Sequence, residues 1–203
     1  DYPDLDSSQM HIYLVNAGDR LLASMDPVSS KRAEKDLKDL HVHIRQPQFA
    51  TEYKDGILKT SAGLEIPAET VIWVSGICAN TIEGLPKESI GHAGRILTDR
   101  FCRVKGLQDV YAIGDQSLIE GDKEYPLGHP QLAQVALQQA KCVAQNLKNQ
   151  LKGQEEKPFK YKNLGVMATI GRNHAVAEIN GQKFGGFPAW FLWLVVHLRS
   201  ILG

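Results

Sequence analysis

Tyr111-Ala112-Ile113-Gly114-Asp115 joins a short apolar run to a glycine and an acidic residue. A short apolar strand is predicted to end there on a glycine, which lets the backbone approach a ligand closely, and on a carboxylate. Such a carboxylate can accept a hydrogen bond from a sugar-type hydroxyl group. An aspartate that merely caps a loop is the commoner explanation, so the neighbouring sequence has to decide.

A long helix is predicted shortly after this stretch. Strong helix formers run from Pro130 to about Leu151, with the proline near the start. The segment Gly128–Gln134 opens this helix, and its free N–H groups and positive dipole end favour an electron-rich ligand edge. The strand end and the helix start together predict a ligand site.

The sequence before this region is typical of an α/β protein. A strand at His11–Val15, a helix at Lys31–Leu40 and a strand at His41–Ile44 follow the order of a parallel α/β unit. Gln48–Thr60 predicts a hairpin around an Asp-Gly turn. Val71–Gly76 predicts a further buried strand that ends in glycine.

The sequence after the long helix predicts a linker, a sheet and a final helix. Gly153–Pro158 is typical of a linker, and Val166–Ile170 with Ala175–Ile179 predicts an antiparallel pair. Phe187–Leu202 predicts an apolar helix. It is shorter than the roughly 20 residues that span a bilayer, so we expect at most contact with a membrane surface.

Composition excludes several classes of protein. The 203 residues are 43% hydrophobic and 23% charged with a formal net charge of +0, so we expect a globular fold and no nucleic-acid partner. The segment 1–8 is acidic and polar, which is unlike a secretory signal. The histidines and serines show no spacing typical of a catalytic triad, so no catalytic side chain is predicted.

The three cysteines give no sign of a metal or redox centre. Cys78, Cys102 and Cys142 lie far apart, with no C-x-x-C spacing and no histidine at ligand spacing. We therefore predict no metal site and no reactive dithiol, and we expect all three to be buried structural thiols.

A glycine-rich nucleotide loop is absent from the sequence. A parallel nucleotide-binding unit normally begins with a strand and a G-x-G-x-x-G turn into a helix. The first predicted strand, His11–Val15, has the position of a second strand in such a unit. We therefore expect the chain to begin inside a domain and to lack both glycine-rich loops of a protein that binds two dinucleotides.

Several of these segments together resemble the type II NADH dehydrogenases, single-subunit membrane-associated flavoproteins. The resemblance rests on the stretch Val110–Asp115, the helix start Ala133-Gln134-Val135-Ala136-Leu137-Gln138, the strands near Val15 and Val74, and the region from Pro158 to Leu198. The A-I-G-D element is shared by many flavoproteins that bind two dinucleotides, whereas the A-Q-x-A-x-Q helix start is specific to this family. The resemblance covers nearly the whole chain.

The resemblance implies an α/β fold, namely an incomplete two-dinucleotide-binding, Rossmann-like flavoprotein. Residues 1–84 would hold the later strands of the NADH-binding domain, and residues 85–152 the closing part of the FAD-binding domain. Residues 153–203 would begin the carboxy-terminal region on the quinone side, which contributes to a dimer or lies near the membrane.

The resemblance also implies site residues. Gly114 and Asp115 would bind the FAD ribityl chain, and Ala133 with Gln134 would lie by the flavin ring. Gly76 and Ile77 would face the nicotinamide of NAD. Each residue also has a purely structural explanation. Gln134 could hydrogen-bond to the backbone of its own helix, and Gly76 could simply end a strand.

On the quinone side the implied residues are Gln134, Gln138 and Thr169. The alternatives are an exposed glutamine on the helix face and a threonine in ordinary sheet packing. Asn16 departs from the family, because an acidic residue usually follows that strand to bind the adenosine ribose. The preference for NADH over NADPH is therefore left open.

The implied function is non-proton-pumping NADH:quinone oxidoreduction in a respiratory chain, with FAD and NAD as cofactors. The implied protein is a homodimer on the cytoplasmic side of the cell membrane, bound peripherally. Two alternatives remain at this point: a sulfide:quinone-type flavoprotein, which needs cysteines near the flavin, and a non-catalytic binding or dimerisation fragment. We expect the isolated chain to be inactive.

Overall fold

The computed structural model describes residues 10–80 and 82–202. The segment 1–8, where no signal pattern was found, lies outside the described residues. The chain divides into two compact units. Unit 1 comprises Asp1–Trp73 and Leu164–Gly203, and unit 2 comprises Val74–Asn163.

Ten strands and three helices make up the regular structure of the described residues. In chain order they are β1 (Ile12–Val15), α1 (Pro27–Asp39), β2 (Val42–Arg45), β3 (Ala50–Lys54), β4 (Ile57–Thr60), β5 (Glu65–Pro67), β6 (Ile96–Thr98), β7 (Ser117–Ile119), α2 (Ala133–Leu151), β8 (Val166–Gly171), β9 (His174–Ile179), β10 (Gln182–Gly185) and α3 (Phe187–Leu202).

Unit 1 begins with the predicted parallel β-α-β unit. β1 pairs with β2 in parallel, with Ile12 opposite Val42 and Val15 opposite Arg45. The connecting helix α1 begins after Asp26, whose carboxylate accepts a hydrogen bond from the N–H of Val28 at 2.8 Å. The prediction of a strand, a helix and a parallel strand is therefore confirmed.

Two antiparallel sheets complete unit 1. In the first, β4 lies between β3 and β5. Asp55 and Gly56 join β3 to β4 with φ values of 50° and 75°, which the predicted Asp-Gly turn requires. In the second, β9 lies between β8 and β10, so the predicted antiparallel pair is also confirmed. The core between α1 and β9 is formed by Met25, Ala33 and Val176.

Unit 2 contains a short parallel pair and the long helix. β6 pairs with β7 in parallel, with Ile96 opposite Ser117. α2 follows the loop after β7 and extends for 19 residues. Its buried face carries polar as well as apolar side chains, since Gln139, Asn146 and Asn149 are buried with Val135.

Two predicted strands were wrong. Val71–Gly76 has no regular secondary structure, and Ile72, Trp73 and Val74 are 78%, 68% and 85% exposed. An apolar run becomes a buried strand only where neighbouring strands bond to it, and no strand among residues 10–80 and 82–202 does so here. Val110–Ile113 forms only an isolated bridge, between Tyr111 and Arg103.

No helix within the described part of the chain combines the length and the apolar character needed to cross a membrane. α3 is nevertheless apolar on much of its exposed surface, where Phe191 is 53% and Leu198 is 50% exposed.

Candidate functional site

The predicted glycine and aspartate form a tight turn that enters β7. Gly114, Asp115 and Gln116 make one turn of 3-10 helix after the extended residue Ile113. Gly114 has φ of 69°, in the left-handed region that side chains other than glycine rarely adopt. Gly114 is buried, whereas Asp115 is exposed and therefore accessible to a ligand.

α2 fixes this turn through a residue that sequence reasoning missed. The N–H of Gly114 donates to Oε1 of Gln139 at 2.6 Å, and Gln139 is 1% exposed. A Cβ atom at position 114 would lie 3.1 Å from Cβ of Ala136. A side chain at position 114 is therefore disfavoured both by the backbone conformation and by close contact with Ala136. The one available signal was that Gln139 falls on the same predicted helix face as the apolar residues Val135 and Val143.

The start of α2 lies beside the turn. Nε2 of Gln131 donates to the backbone carbonyl of Asp115 at 3.3 Å. Leu132 is the N-cap residue and makes no side-chain cap, and its carbonyl accepts from the N–H of Val135 at 2.9 Å. Ala133 is exposed and Gln134 is half-buried. The structure thus brings Gly114 and Asp115 next to the predicted flavin-side end of α2.

Gln138 makes two hydrogen bonds to a single residue. Its Nε2 donates to the carbonyl of Lys162 at 2.9 Å, and its Oε1 accepts from the N–H of Lys162 at 2.9 Å. Asn146 holds Lys157 in the same reciprocal way, at 2.8 and 2.9 Å. The polar side chains of α2 therefore fix the segment after it. The role of Gln138 on the quinone side stays a prediction.

The other predicted residues belong to other segments of the chain. Gly76 and Ile77 are exposed in the irregular segment of unit 2, and Gly76 has φ of 76°. Nearby, the N–H of Ala79 donates to the carbonyl of Ala93 at 3.0 Å. Thr169 is an exposed residue of β8 in unit 1. Their roles toward the nicotinamide and quinone stay predictions.

A buried arginine lies behind the turn. Arg95 is 5% exposed and donates from Nη2 to the carbonyl of Ser117 and from Nη1 to the carbonyl of Leu127 at 3.4 Å. Its Nε is buried and has no hydrogen-bond partner among the described residues. Burial lowers the pKa of the guanidinium, while the charge of Asp115 raises it.

His129 lies in an aromatic cluster just before α2. It is 3% exposed, stacks on Tyr125 with 4.5 Å between ring centroids, and meets the edges of Phe159 and Tyr161. Burial lowers the pKa of His129, an effect that the carboxylate of Asp122 opposes. The structure therefore places His129 in the packing of this aromatic cluster.

The cysteines correct one expectation. Cys102 is buried, but Cys78 is exposed and Cys142 is half-buried, so the prediction that all three are buried was wrong for Cys78 and Cys142. Cys78 lies two residues after the Val71–Gly76 segment, in a stretch without regular secondary structure. Within residues 10–80 and 82–202, no three His, Cys, Asp or Glu side chains cluster as metal ligands would.

Unit 2 also has an open cavity of about 740 Å³. Its lining includes Thr98, Arg103, Glu120 and Phe159. None of the predicted site residues contributes to it, so it is separate from the Gly114 turn.

Comparison with known proteins adds an independent finding. A sequence model of the family described as pyridine nucleotide-disulphide oxidoreductase matches residues 4–140. The chain belongs to this family.

Within the family the chain is similar to named enzymes over nearly its whole length. It is 32% identical to the type II NADH:quinone oxidoreductase NdhA of Mycobacterium tuberculosis. The alignment covers 97% of this chain and 43% of that protein. It is also 32% identical to the mitochondrial internal alternative NAD(P)H-ubiquinone oxidoreductase A1 of Arabidopsis thaliana, over 95% of this chain and 41% of that protein. The chain thus spans less than half the length of these curated relatives.

Solved structures show the same fold. NDH2 of Plasmodium falciparum in complex with NADH matches with a TM-score of 0.78 and 16% identity, over 96% of this chain and 55% of that chain. The sulfide:quinone oxidoreductase of Aquifex aeolicus matches with a TM-score of 0.73 and 12% identity, over 94% of this chain and 49% of that chain. The predicted α/β flavoprotein fold and the resemblance to type II NADH dehydrogenases are therefore confirmed.

Proposed function

We propose that this chain is part of an FAD-dependent NADH:quinone oxidoreductase. The observation that carries the proposal is the turn at Gly114 and Asp115, held against α2 by Gln139. The relatives named as type II NADH:quinone oxidoreductases, which are similar over nearly the whole chain, support the same activity. Residues 1–84, 85–152 and 153–203 are proposed to serve the NADH, FAD and quinone sides.

The residues at the turn fit a flavin dinucleotide. Gly114 is buried, has a left-handed backbone conformation and carries no side chain, and the next residue presents an exposed carboxylate. Asp115 would accept a hydrogen bond from a hydroxyl of the ribityl chain. Near this turn, the buried Nε of Arg95 has no hydrogen-bond partner among the described residues. Such a group is expected at a site that holds an electron-rich ligand.

FAD, when bound, supplies the chemistry of accepting a hydride from NADH and passing electrons to a quinone. The residues of this chain bind and orient it. Asp115 would hold the ribityl chain, and the backbone at Ala133 with the side chain of Gln134 would lie along the flavin ring. The positive end of the α2 helix dipole lies at the start of the helix, where it would favour electron-rich atoms of the flavin.

The two substrates are assigned to different residues. Gly76 and Ile77 are proposed to face the nicotinamide, because a glycine without a neighbouring side chain leaves room for a planar ring. Gln134, Gln138 and Thr169 are proposed for the quinone side. No side-chain nucleophile is needed for this reaction, which agrees with the lack of a triad pattern in the sequence.

The final helix supports a proposed location. Exposed Phe187, Phe191, Leu198 and Ile201 give α3 an apolar surface that is too large for an ordinary solvated helix. We propose that this helix contributes to a homodimer contact and to peripheral attachment at the cytoplasmic side of the cell membrane. Arg199, the basic residue in its last turn, would favour anionic lipid headgroups.

The alternative functions have less support. A sulfide:quinone oxidoreductase shares the fold, but the cysteines here are scattered and Cys102 is buried. A non-catalytic fragment would need neither an exposed Asp115 nor a left-handed glycine at the turn. The isolated 203-residue chain is proposed to be inactive, because no glycine-rich nucleotide loop occurs in it.

An anaerobic spectroscopic titration of the full-length protein encoded by the gene tests the proposal. We expect flavin absorbance bands that bleach on addition of NADH and return on addition of a soluble quinone. Bleaching by sulfide and not by a nicotinamide would favour the sulfide-dependent alternative. A colourless protein would favour the non-catalytic module and would overturn the proposal.

Two glycine substitutions link this activity to the turn. Gly114→Ala introduces a Cβ at φ of 69° and 3.1 Å from Ala136, so we expect a loss of bound FAD. Gly121→Ala is the matched control, because Gly121 has φ of 78° but no atom within 4 Å of its added Cβ. Equal flavin content in both variants would contradict the assignment of Gly114 to the flavin site.

A further inference from the structure

Arg95 joins two segments that are distant in sequence. It precedes β6 and reaches the carbonyl of Ser117, which directly follows the Gly114–Gln116 turn. It also reaches the carbonyl of Leu127, in the loop that leads to α2. One side chain thus connects the turn and the helix start that together form the proposed flavin site.

The loop before α2 is shaped around this guanidinium. A Cβ at position 128 would lie 2.3 Å from Nη1 and 2.7 Å from Cζ of Arg95. Gly128 also has φ of 93°, so a side chain there is disfavoured by both space and backbone conformation. The guanidinium therefore occupies the place that the side chain of residue 128 would take.

The charge of Arg95 is not neutralised by an ion pair. No carboxylate within residues 10–80 and 82–202 lies within 4.0 Å of it, and its Nε has no acceptor among the same residues. A buried cation of this kind is costly, since an ion in a protein interior normally has a partner or a full set of hydrogen bonds. A structural anchor alone would not need an arginine, because neutral donors can also bind two carbonyl groups.

We propose that Arg95 is a positioning residue for the bound flavin: it fixes the turn and the helix start, and its unpaired charge stabilises the electron-rich reduced cofactor. This inference rests on the proposed function, because it needs a flavin at the Gly114 turn. Reduction adds negative charge to the flavin ring, and a buried cation nearby makes that change more favourable. Arg95 therefore raises both the affinity for FAD and the midpoint potential.

The test measures the FAD dissociation constant and the flavin midpoint potential in the full-length protein. Arg95→Met removes the charge and both hydrogen bonds, so we expect FAD affinity to fall by about tenfold or more and the midpoint potential to become more negative. Arg95→Lys keeps the charge but loses the forked geometry, so we expect a smaller loss of affinity and a potential close to that of the wild type.

Arg100→Met is the matched control. Arg100 is an exposed arginine of the same unit, and the substitution removes the same net charge. Both measured quantities should match the wild type in this control, because solvent screens an exposed charge.

The outcomes separate the inference from the function on which it rests. A wild-type protein without bound flavin overturns both. Bound flavin with an unchanged potential in a folded Arg95→Met overturns the inference alone. If Arg95→Met does not fold, the Lys variant decides: wild-type FAD affinity in Arg95→Lys overturns the inference, whereas a weakened affinity with a retained potential supports it.

Discussion

Asn16 is the residue at which this chain departs from the usual nucleotide-binding pattern. It directly follows β1, where an acidic side chain normally binds the adenosine ribose hydroxyls. Here its Nδ2 donates to the carbonyls of Gly18 and Arg20 at 3.0 and 3.2 Å and to Oε1 of Gln46 at 3.3 Å. The amide therefore organises the loop after β1, and it presents no negative charge to a ligand.

A neutral residue at this position changes the expected choice between nucleotides. A carboxylate repels the 2′-phosphate of NADPH, whereas an amide does not, so we expect the wild-type protein to oxidise NADPH as well as NADH. Asn16→Glu should raise the ratio of kcat/KM for NADH to that for NADPH by about tenfold. Steady-state kinetics with both nucleotides measure this ratio.

Asn16→Gln is the control for that measurement, because it keeps an uncharged amide and should leave the ratio near the wild-type value. A ratio that stays constant in Asn16→Glu, with the FAD content preserved, would show that this residue does not contact the nucleotide.

The helix α2 differs from an ordinary amphipathic helix. Its buried positions include polar residues whose side chains bind backbone groups outside the helix. Asn149 donates to the carbonyl of Glu155 at 2.9 Å, and Asn146 holds both backbone groups of Lys157. α2 is thus a scaffold that determines the path of the chain on either side of it.

The bond from Gly114 to Gln139 should matter most among these contacts. Gln139→Leu keeps a side chain of similar size but leaves a buried N–H without an acceptor, which typically costs about 1–3 kcal/mol of stability. Urea unfolding followed by circular dichroism measures the loss. Gln150→Leu is the control, because Gln150 is an exposed residue of the same helix, and we expect a change within about 0.5 kcal/mol. Equal effects of the two substitutions would argue against a special role for Gln139.

The elements that the sequence predicted correctly are those whose pattern is local. The Asp55-Gly56 hairpin and the unit of β1, α1 and β2 depend on residues close together along the chain. Val71–Gly76 failed because a strand exists only through its neighbours, and none of the described strands bonds to it. An apolar run identifies a segment that can be buried, but not the segment that will cover it.

The same distinction applies to the candidate site. Gly114, Asp115 and the start of α2 were predicted, and the structure places them together. Gln139 and Arg95 were missed, because their partners lie 25 residues away for Gln139 and 22 and 32 residues away for Arg95. A glutamine in a helix and an arginine before a strand are ordinary in sequence and become informative only when their partners are known.

The thiols of unit 2 differ in their surroundings. Cys102 is fully buried against Ile119 and Phe159, and burial raises the pKa of its thiol to about 12. Cys78 is exposed in a segment of the same unit that has no regular secondary structure. Cys102 therefore reports on the packed core of unit 2, and Cys78 reports on its exposed segment without regular structure.

Thiol labelling should follow this division. The thiolate is the reactive form, and at pH 8 a thiol with a pKa near 12 is ionised only to about one part in ten thousand. We therefore expect iodoacetamide to label Cys78 rapidly in the native 203-residue chain, and Cys102 only after urea unfolds unit 2, as read by peptide mass spectrometry. Cys78→Ser should leave the protection of Cys102 unchanged, because the exposed thiol does not contribute to the core. Native labelling of Cys102 at the rate of Cys78 would contradict a packed core of Cys102, Ile119 and Phe159 in this chain.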